Sequence, residues 1–257
     1  ADLTGDGLDE VVFATSSDQP TLQVMSAANS ADPAAGLQFG DPIVVNRMLA
    51  VAVGNFFGDG PVVAILVAQI DASLLLQYYA VNPSLGLAPL PAKTLTLQRP
   101  AGALITVSAS IAVGRFNTVA YDQMLIAVTD FLRTDLLSVD TDANALPVQR
   151  LRAVSDSSPL VYGLLRAGRF DWSSPFDSVA YLVTYENYDS RITSGRLLSV
   201  LTLDANLAVG AQTASLSFTG AQCIYDMQVG NFDRRVPDPT PTVSHSLAFL
   251  DASPCSE

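Results

Sequence analysis

One four-residue phrase returns along this chain and limits what the chain can fold into. It reads Val53-Gly54-Asn55-Phe56, Val113-Gly114-Arg115-Phe116, Ala167-Gly168-Arg169-Phe170 and Val229-Gly230-Asn231-Phe232, at intervals of 54 to 62 residues. Each copy closes an apolar run, crosses a short polar loop and opens a second apolar run. Near-regular recurrence with variable loops marks a repeat architecture, in which each unit covers its apolar face with the next. The runs themselves are short and β-rich, as at Val62 to Ala68, Leu74 to Val81, Met124 to Thr129, Ser178 to Thr184 and Leu197 to Leu203. Gly, Pro, Asn, Asp and Ser separate them, which predicts strands joined by tight turns. No stretch carries a capped 3.6-residue period, so the reading is all-β.

A second echo defines the unit more closely. Val81-Asn82-Pro83-Ser84-Leu85, Val139-Asp140-Thr141-Asp142 with Ala143 to Leu146, and Leu203-Asp204-Ala205-Asn206-Leu207 each follow an apolar run. Asn and Asp suit hairpin turns because they tolerate left-handed backbone and bond their own chain. Each unit then reads as four antiparallel strands: one ending in the Gly-x-Phe phrase, one after the polar loop, and a hairpin pair. A four-stranded unit of roughly 40 to 60 residues has the size of a β-propeller blade. The expected blades span residues 1–46, 47–100, 105–152, 160–218 and 222–257, three whole and two partial, in one domain covering 1–257.

At the first loop the sequence resembles a known family. Asp2-Leu3-Thr4-Gly5-Asp6-Gly7-Leu8-Asp9-Glu10-Val11-Val12 is similar to the FG-GAP/VCBS-type repeat of integrin α-subunit propellers and of many secreted microbial proteins. The Gly-x-Phe phrases resemble the lead-in of the same repeat, and the likeness runs along almost the whole chain. The resemblance implies a β-propeller with calcium in some blade loops, used for adhesion, recognition or scaffolding. It also implies a strand ahead of the calcium loop, whereas the sequence begins inside that loop. The expectation is therefore a piece of a longer chain; the alternative is a small ring whose two ends complete one another.

The first loop is the strongest candidate for binding chemistry. Calcium takes six to eight oxygens, gathered from alternate positions of a tightly turning loop. Asp2, Thr4 and Asp6 stand at positions one, three and five, the Leu8 carbonyl at seven and the Glu10 carboxylate at nine. Gly5 and Gly7 permit the turn, and Asp9 is expected to point elsewhere. In the second loop Asn55, Phe57 and Asp59 take positions one, three and five, with Val63 at nine, and Phe57 and Val63 cannot coordinate a cation. The third and fourth loops begin with Arg115 and Arg169. A guanidinium there could supply the charge that calcium supplies elsewhere, pairing with Asp122 in one loop and with Asp171 or Asp177 in the other. The fifth loop, with Pro237, Pro239 and Pro241, reads as a semi-rigid rim insertion.

Composition narrows the function classes. The formal charge of −12, with Lys93 as the sole lysine, disfavours phosphate backbones and hence nucleic-acid partners. No run of about 18 apolar residues appears, so no membrane-spanning helix is expected. Cys223 opens one late apolar run and Cys255 follows another. If those runs pair antiparallel, a disulfide is geometrically reasonable and would add about 2–4 kcal/mol in an oxidising compartment. Two unrelated buried thiols are the alternative. Trp172, Tyr185 and Tyr188, near Glu186, Asp189 and Arg191, could form a surface for a protein or carbohydrate ligand, or could simply pack. His245 is the only histidine and has no triad partner at suggestive spacing. These features point to a non-catalytic, secreted or cell-surface recognition module stabilised by calcium. The alternatives are a structural subunit of an extracellular assembly and, less favoured, a carbohydrate-active propeller enzyme.

Overall fold

The computed structural model describes the chain except for residues 16–18, 28–35, 131–132, 143, 151–154, 157–160, 171–173, 186–195, 219–222, 231–245 and 253–257. The fold is all-β, in five consecutive antiparallel sheets. Sheet one holds β1 (Val11–Ala14), β2 (Thr21–Ala27), β3 (Leu37–Phe39) and β4 (Ile43–Val44). Sheet two holds β5 (Met48–Gly54), β6 (Val62–Ala68), β7 (Leu74–Val81), β8 (Leu87–Pro89) and β9 (Leu95–Leu97). Sheet three holds β10 (Ser108–Gly114), β11 (Gln123–Thr129), β12 (Thr134–Thr141), β13 (Pro147–Gln149) and β14 (Ser155–Asp156). Sheet four holds β15 (Val161–Gly168), β16 (Ser178–Tyr185), β17 (Arg196–Leu203) and β18 (Val209–Phe218). Sheet five pairs β19 (Cys223–Gly230) with β20 (Ser246–Ala252). Strands pair in chain order within each sheet. In sheets one to three the outer edge is shared by two short strands on one partner, so that sheets two and three are four strands wide with a broken rim and sheet one is three.

Each sheet packs against its sequence neighbours, and alternation along the strands decides which side chain faces which. Val63, Ile65 and Val67 of β6 join Leu22 and Val24 of sheet one, while Ala64 and Leu66 join Met124, Ile126 and Val128 of sheet three. Leu125 and Ala127 then meet Leu165, Val179 and Tyr181 of sheet four, whose Ala180 and Leu182 meet Met227 of sheet five. Both faces of β6 and β11 are therefore buried along their whole length. That is why these strands read as unbroken apolar runs rather than as apolar-polar alternation.

The recurring glycine has a steric cause. The first strands of successive sheets run side by side, and a Cβ on Gly54 would fall 2.8 Å from Val113 Cγ1 and from Phe56 Cζ. On Gly114 it would fall 3.0 Å from Asp177 Oδ2 and 3.2 Å from the Ala167 methyl. The following aromatics fill the core: Phe56 and Phe116 are buried, and Phe56, Phe57 and Tyr78 stack edge to face. Burial pushes the Tyr78 phenol well above its ordinary value.

The three expected hairpin turns share one hydrogen-bond pattern. The side-chain oxygens of Asn82, Asp142 and Asp204 accept from the amides two and four residues on. Their backbone carbonyls accept from Leu85, Ala145 and Leu207, which are left-handed at φ 63°, 55° and 58°. The amides of Leu146 and then Asn144 hold the Asp142 carboxyl below the usual carboxylate range.

A buried ionic cluster ties the connection between sheets two and three to the β11–β12 hairpin. Arg99 Nη2 donates to Asp130 Oδ2 (2.8 Å) and Asp135 Oδ2 (2.9 Å), Nη1 to the Leu104 carbonyl (2.6 Å), and Arg133 Nε lies 3.1 Å from Asp135 Oδ1. The side chains of Arg99, Asp130 and Asp135 are 3%, 1% and 0% exposed. Lys93 makes a second bridge between the two sheets. It donates to the Ala145 carbonyl in the β12–β13 turn and sits 4.7 Å over the Phe57 ring.

Candidate functional site

The first loop folds around two carboxylates. Asp2 Oδ1 accepts from the Gly5 amide (2.7 Å) and Oδ2 from the Gly7 amide (3.0 Å); Asp6 Oδ1 accepts from Leu8 (2.9 Å). Gly5 and Gly7 are left-handed at φ 78° and 85°, a conformation in which side-chain-bearing residues are strained. Carboxylate oxygens of Asp2, Asp6 and Glu10 all lie within 4.8 Å of one another. Three oxygens at 2.3–2.6 Å from one calcium ion fall within such a span. Asp9 points away, exposed, with its carboxylate 3.3 Å from the N-terminal ammonium.

Glu10 does more than its expected ligand position implies. It is buried, and it accepts from the amides of Leu3 (2.5 Å) and Thr4 (3.3 Å) and from the hydroxyls of Thr4 (3.3 Å) and Ser26 (3.2 Å). Gln123 occupies the equivalent place in sheet three. Its Oε1 accepts from the Phe116 amide (2.9 Å), while its Nε2 donates to Asn117 Oδ1 (2.7 Å) and Asp140 Oδ1 (3.3 Å). One position thus braces its own loop in both sheets, as a carboxylate in the first and an amide in the third. The amide fills with its own NH2 the space beside the loop oxygens. Carboxylate oxygens carry further lone pairs, so an amide bond and a metal bond can share one oxygen.

The second loop keeps one of these hydrogen bonds, and the third and fourth place an arginine where the first has Asp2. In the second, Gly58 donates to Asn55 Oδ1 (2.8 Å) as Gly5 does to Asp2, but Phe57 turns into the aromatic cluster. In the third, Arg115 Nε lies 3.8 Å from Asp122 Oδ1, with Arg115 65% exposed, a long and solvated pair of the kind worth little. In the fourth, Arg169 Nη2 donates to the Pro175 carbonyl (2.8 Å).

Asp122 and Asp177 have a stronger engagement that sequence reasoning missed. Asp122 Oδ2 accepts from the Asn55 amide (2.7 Å), and its own amide donates to the Asn55 carbonyl (3.0 Å). Asp177 repeats this on Arg115, at 2.9 Å and 2.8 Å. Each aspartate clasps the main chain of the preceding sheet one residue after its phrase glycine. An Asp two residues ahead of the second apolar run in both loops, Asp122 before Met124 and Asp177 before Val179, was the available signal.

Of the other expected site residues, Cys223 opens β19 opposite Ala252, so the anticipated strand pairing is present. Cys255 lies outside the described residues, as do Trp172, Tyr188 and His245. Tyr185 ends β16 opposite Val161, and its side chain also lies outside the description. No helix among the described residues is long and apolar enough to cross a membrane. The chain matches no family model, no curated protein and no solved structure.

Proposed function

We propose that the chain is a non-catalytic recognition or adhesion module of β-propeller type, with calcium setting its first loop. The observation that carries this reading is the meeting of Asp2, Asp6 and Glu10 oxygens across a loop held by paired left-handed glycines. The Thr4 hydroxyl and the Leu8 carbonyl complete the proposed ligand set. The propeller reading draws support from the side-by-side first strands and from sheets that follow one another in chain order. Calcium would neutralise three carboxylates that otherwise repel, fixing the loop at the mouth of sheet one. Protein or carbohydrate ligands outside the cell suit a chain of this charge, and a surface at Trp172, Tyr185 and Tyr188 belongs to this reading.

A second reading, a structural subunit of a larger assembly, is favoured by the apolar residues that sheet one leaves exposed at the end of the row. Thermal unfolding in calcium and in EGTA tests the first reading. Tm is expected to rise with calcium in the parent and not in Asp6→Ala. Equal Tm in both media for the parent protein overturns the calcium assignment.

A further inference from the structure

Where sheets one and two meet, the chain leaves a cleft of about 600 Å³, within the range of small-ligand sites. Pro20, at the entry to β2, lines one side, and the end of β6 with Gln69 and Ile70 of the following turn lines another. Asn46 and Arg47, in the link from β4 to β5, complete the lining. Backbone bonds hold that link to both sheets: the Val45 amide donates to the Pro20 carbonyl (2.9 Å), and the Ala68 amide to the Arg47 carbonyl (3.0 Å). Arg47 is left-handed at φ 56°, and among the described residues it is the only such non-glycine residue outside a hairpin turn. Strain of this kind gathers at ligand clamps and active sites. Asn46 and Arg47 are exposed, and Ile70 is 82% exposed. Among the described residues none bonds the side chain of Asn46, Arg47 or Gln69.

Sheet three has the same corner, filled by the protein itself. Gln69 follows β6 as Asp130 follows β11, and Leu75 stands on β7 where Asp135 stands on β12, with the strands aligned by the residues opposite Gly54 and Gly114. There the longer link, residues 98–107, lays Arg99 on both carboxylates and buries it. At sheet two the link is short and again carries an arginine, but both acids are replaced by uncharged residues. We propose that this cleft binds a small carboxylate ligand, which takes on Arg47 the place that Asp130 and Asp135 take on Arg99. The Asn46 and Gln69 amides offer donors and acceptors to hydroxyl or amide groups on its body, and Ile70 and Pro20 give that body an apolar surface. A single guanidinium in a molecule of formal charge −12 matches one negative charge, which selects a monocarboxylate over phosphate. The inference goes beyond the recognition reading above, which places no ligand at this corner.

Titration of isotope-labelled protein in EGTA, followed at the side-chain amide resonances of Asn46 and Gln69, gives the test. The probes are glucuronate, a sugar acid, and N-acetylalanine, which ends as a peptide does; glucose and inorganic phosphate are the controls. At least one carboxylate probe should give saturable shifts with a Kd of about 10 mM or below, and the controls should give none. Tighter binding of one probe assigns the ligand to sugar acids or to peptide termini, and equal binding assigns recognition to the carboxylate itself. Arg47→Gln should weaken binding about tenfold or more, and so should Gln69→Glu, which returns a carboxylate to the place of Asp130. Arg115→Gln, which removes a positive charge elsewhere, should bind like the parent. No saturable shift with either carboxylate up to about 50 mM overturns the proposal. Phosphate binding as tight as that of the carboxylates overturns it too, as does carboxylate binding that survives Arg47→Gln. EGTA removes calcium throughout, so the loop assignment is judged separately.

Discussion

Ala145 holds a backbone conformation that glycine adopts freely, and so do Leu85 and Leu207 at the same turn position. An L-residue there costs roughly 1–2 kcal/mol. Leu85 and Leu207 offset that by burying their side chains, while Ala145 buries little. Ala145→Gly should therefore stabilise the protein by up to about 1 kcal/mol, because glycine's own entropy cost takes back part of the gain. Leu207→Gly, at the same φ, should cost about 2–4 kcal/mol through the cavity it leaves. Urea midpoints distinguish the two, and a loss of stability in Ala145→Gly would show that the turn does not strain alanine. The Asn and Asp that open these turns are plain in the sequence, because their side chains bond locally. The left-handed residue three positions later is not, since none of the three is a glycine.

Among the elements, the segment from β9 to β10 has no side of its own to bury and is fastened by charge. Arg99 is the centre of that fastening, surrounded by two carboxylates and the Leu104 carbonyl. Removing its charge takes a buried cation from both Asp130 and Asp135. Arg99→Met should cost about 3–5 kcal/mol, the range for a buried pair that loses one partner. A cost under about 1 kcal/mol, within the range of exposed pairs, would mean that water reaches the site. This cluster was illegible in the sequence. Its members lie 31 and 36 residues from Arg99 and share no spacing with a repeat. The five strands read from apolar runs were legible to within about a residue, and in β6 and β11 full burial of both faces is what writes the unbroken run. The clasping aspartates fell between these cases: they were visible as acids near arginines, but the preferred partner turned out to be backbone.

For the whole molecule, burial of Tyr78 couples stability to alkaline pH. The folded state keeps the phenol neutral, whereas in the unfolded chain it ionises near pH 10. Its contribution is complete below that pH and declines above it, by at most about 1.4 kcal/mol per pH unit for one group. Tyr78→Phe should flatten the alkaline limb of a stability–pH curve while leaving neutral stability nearly unchanged. An equally steep limb in the variant would assign the loss to other groups.

Asp122 and Asp177 reach across to main-chain atoms only, so the clasp is indifferent to which side chain the clasped residue carries. Asn55 stands at one such place and Arg115, largely in solvent, at the next. The clasp fixes both addresses through backbone atoms; Asn55 uses its side chain to hold the Gly58 amide, whereas that of Arg115 stands mostly in solvent. A chain built this way can rewrite what it displays at each sheet boundary without renegotiating how the boundary is joined.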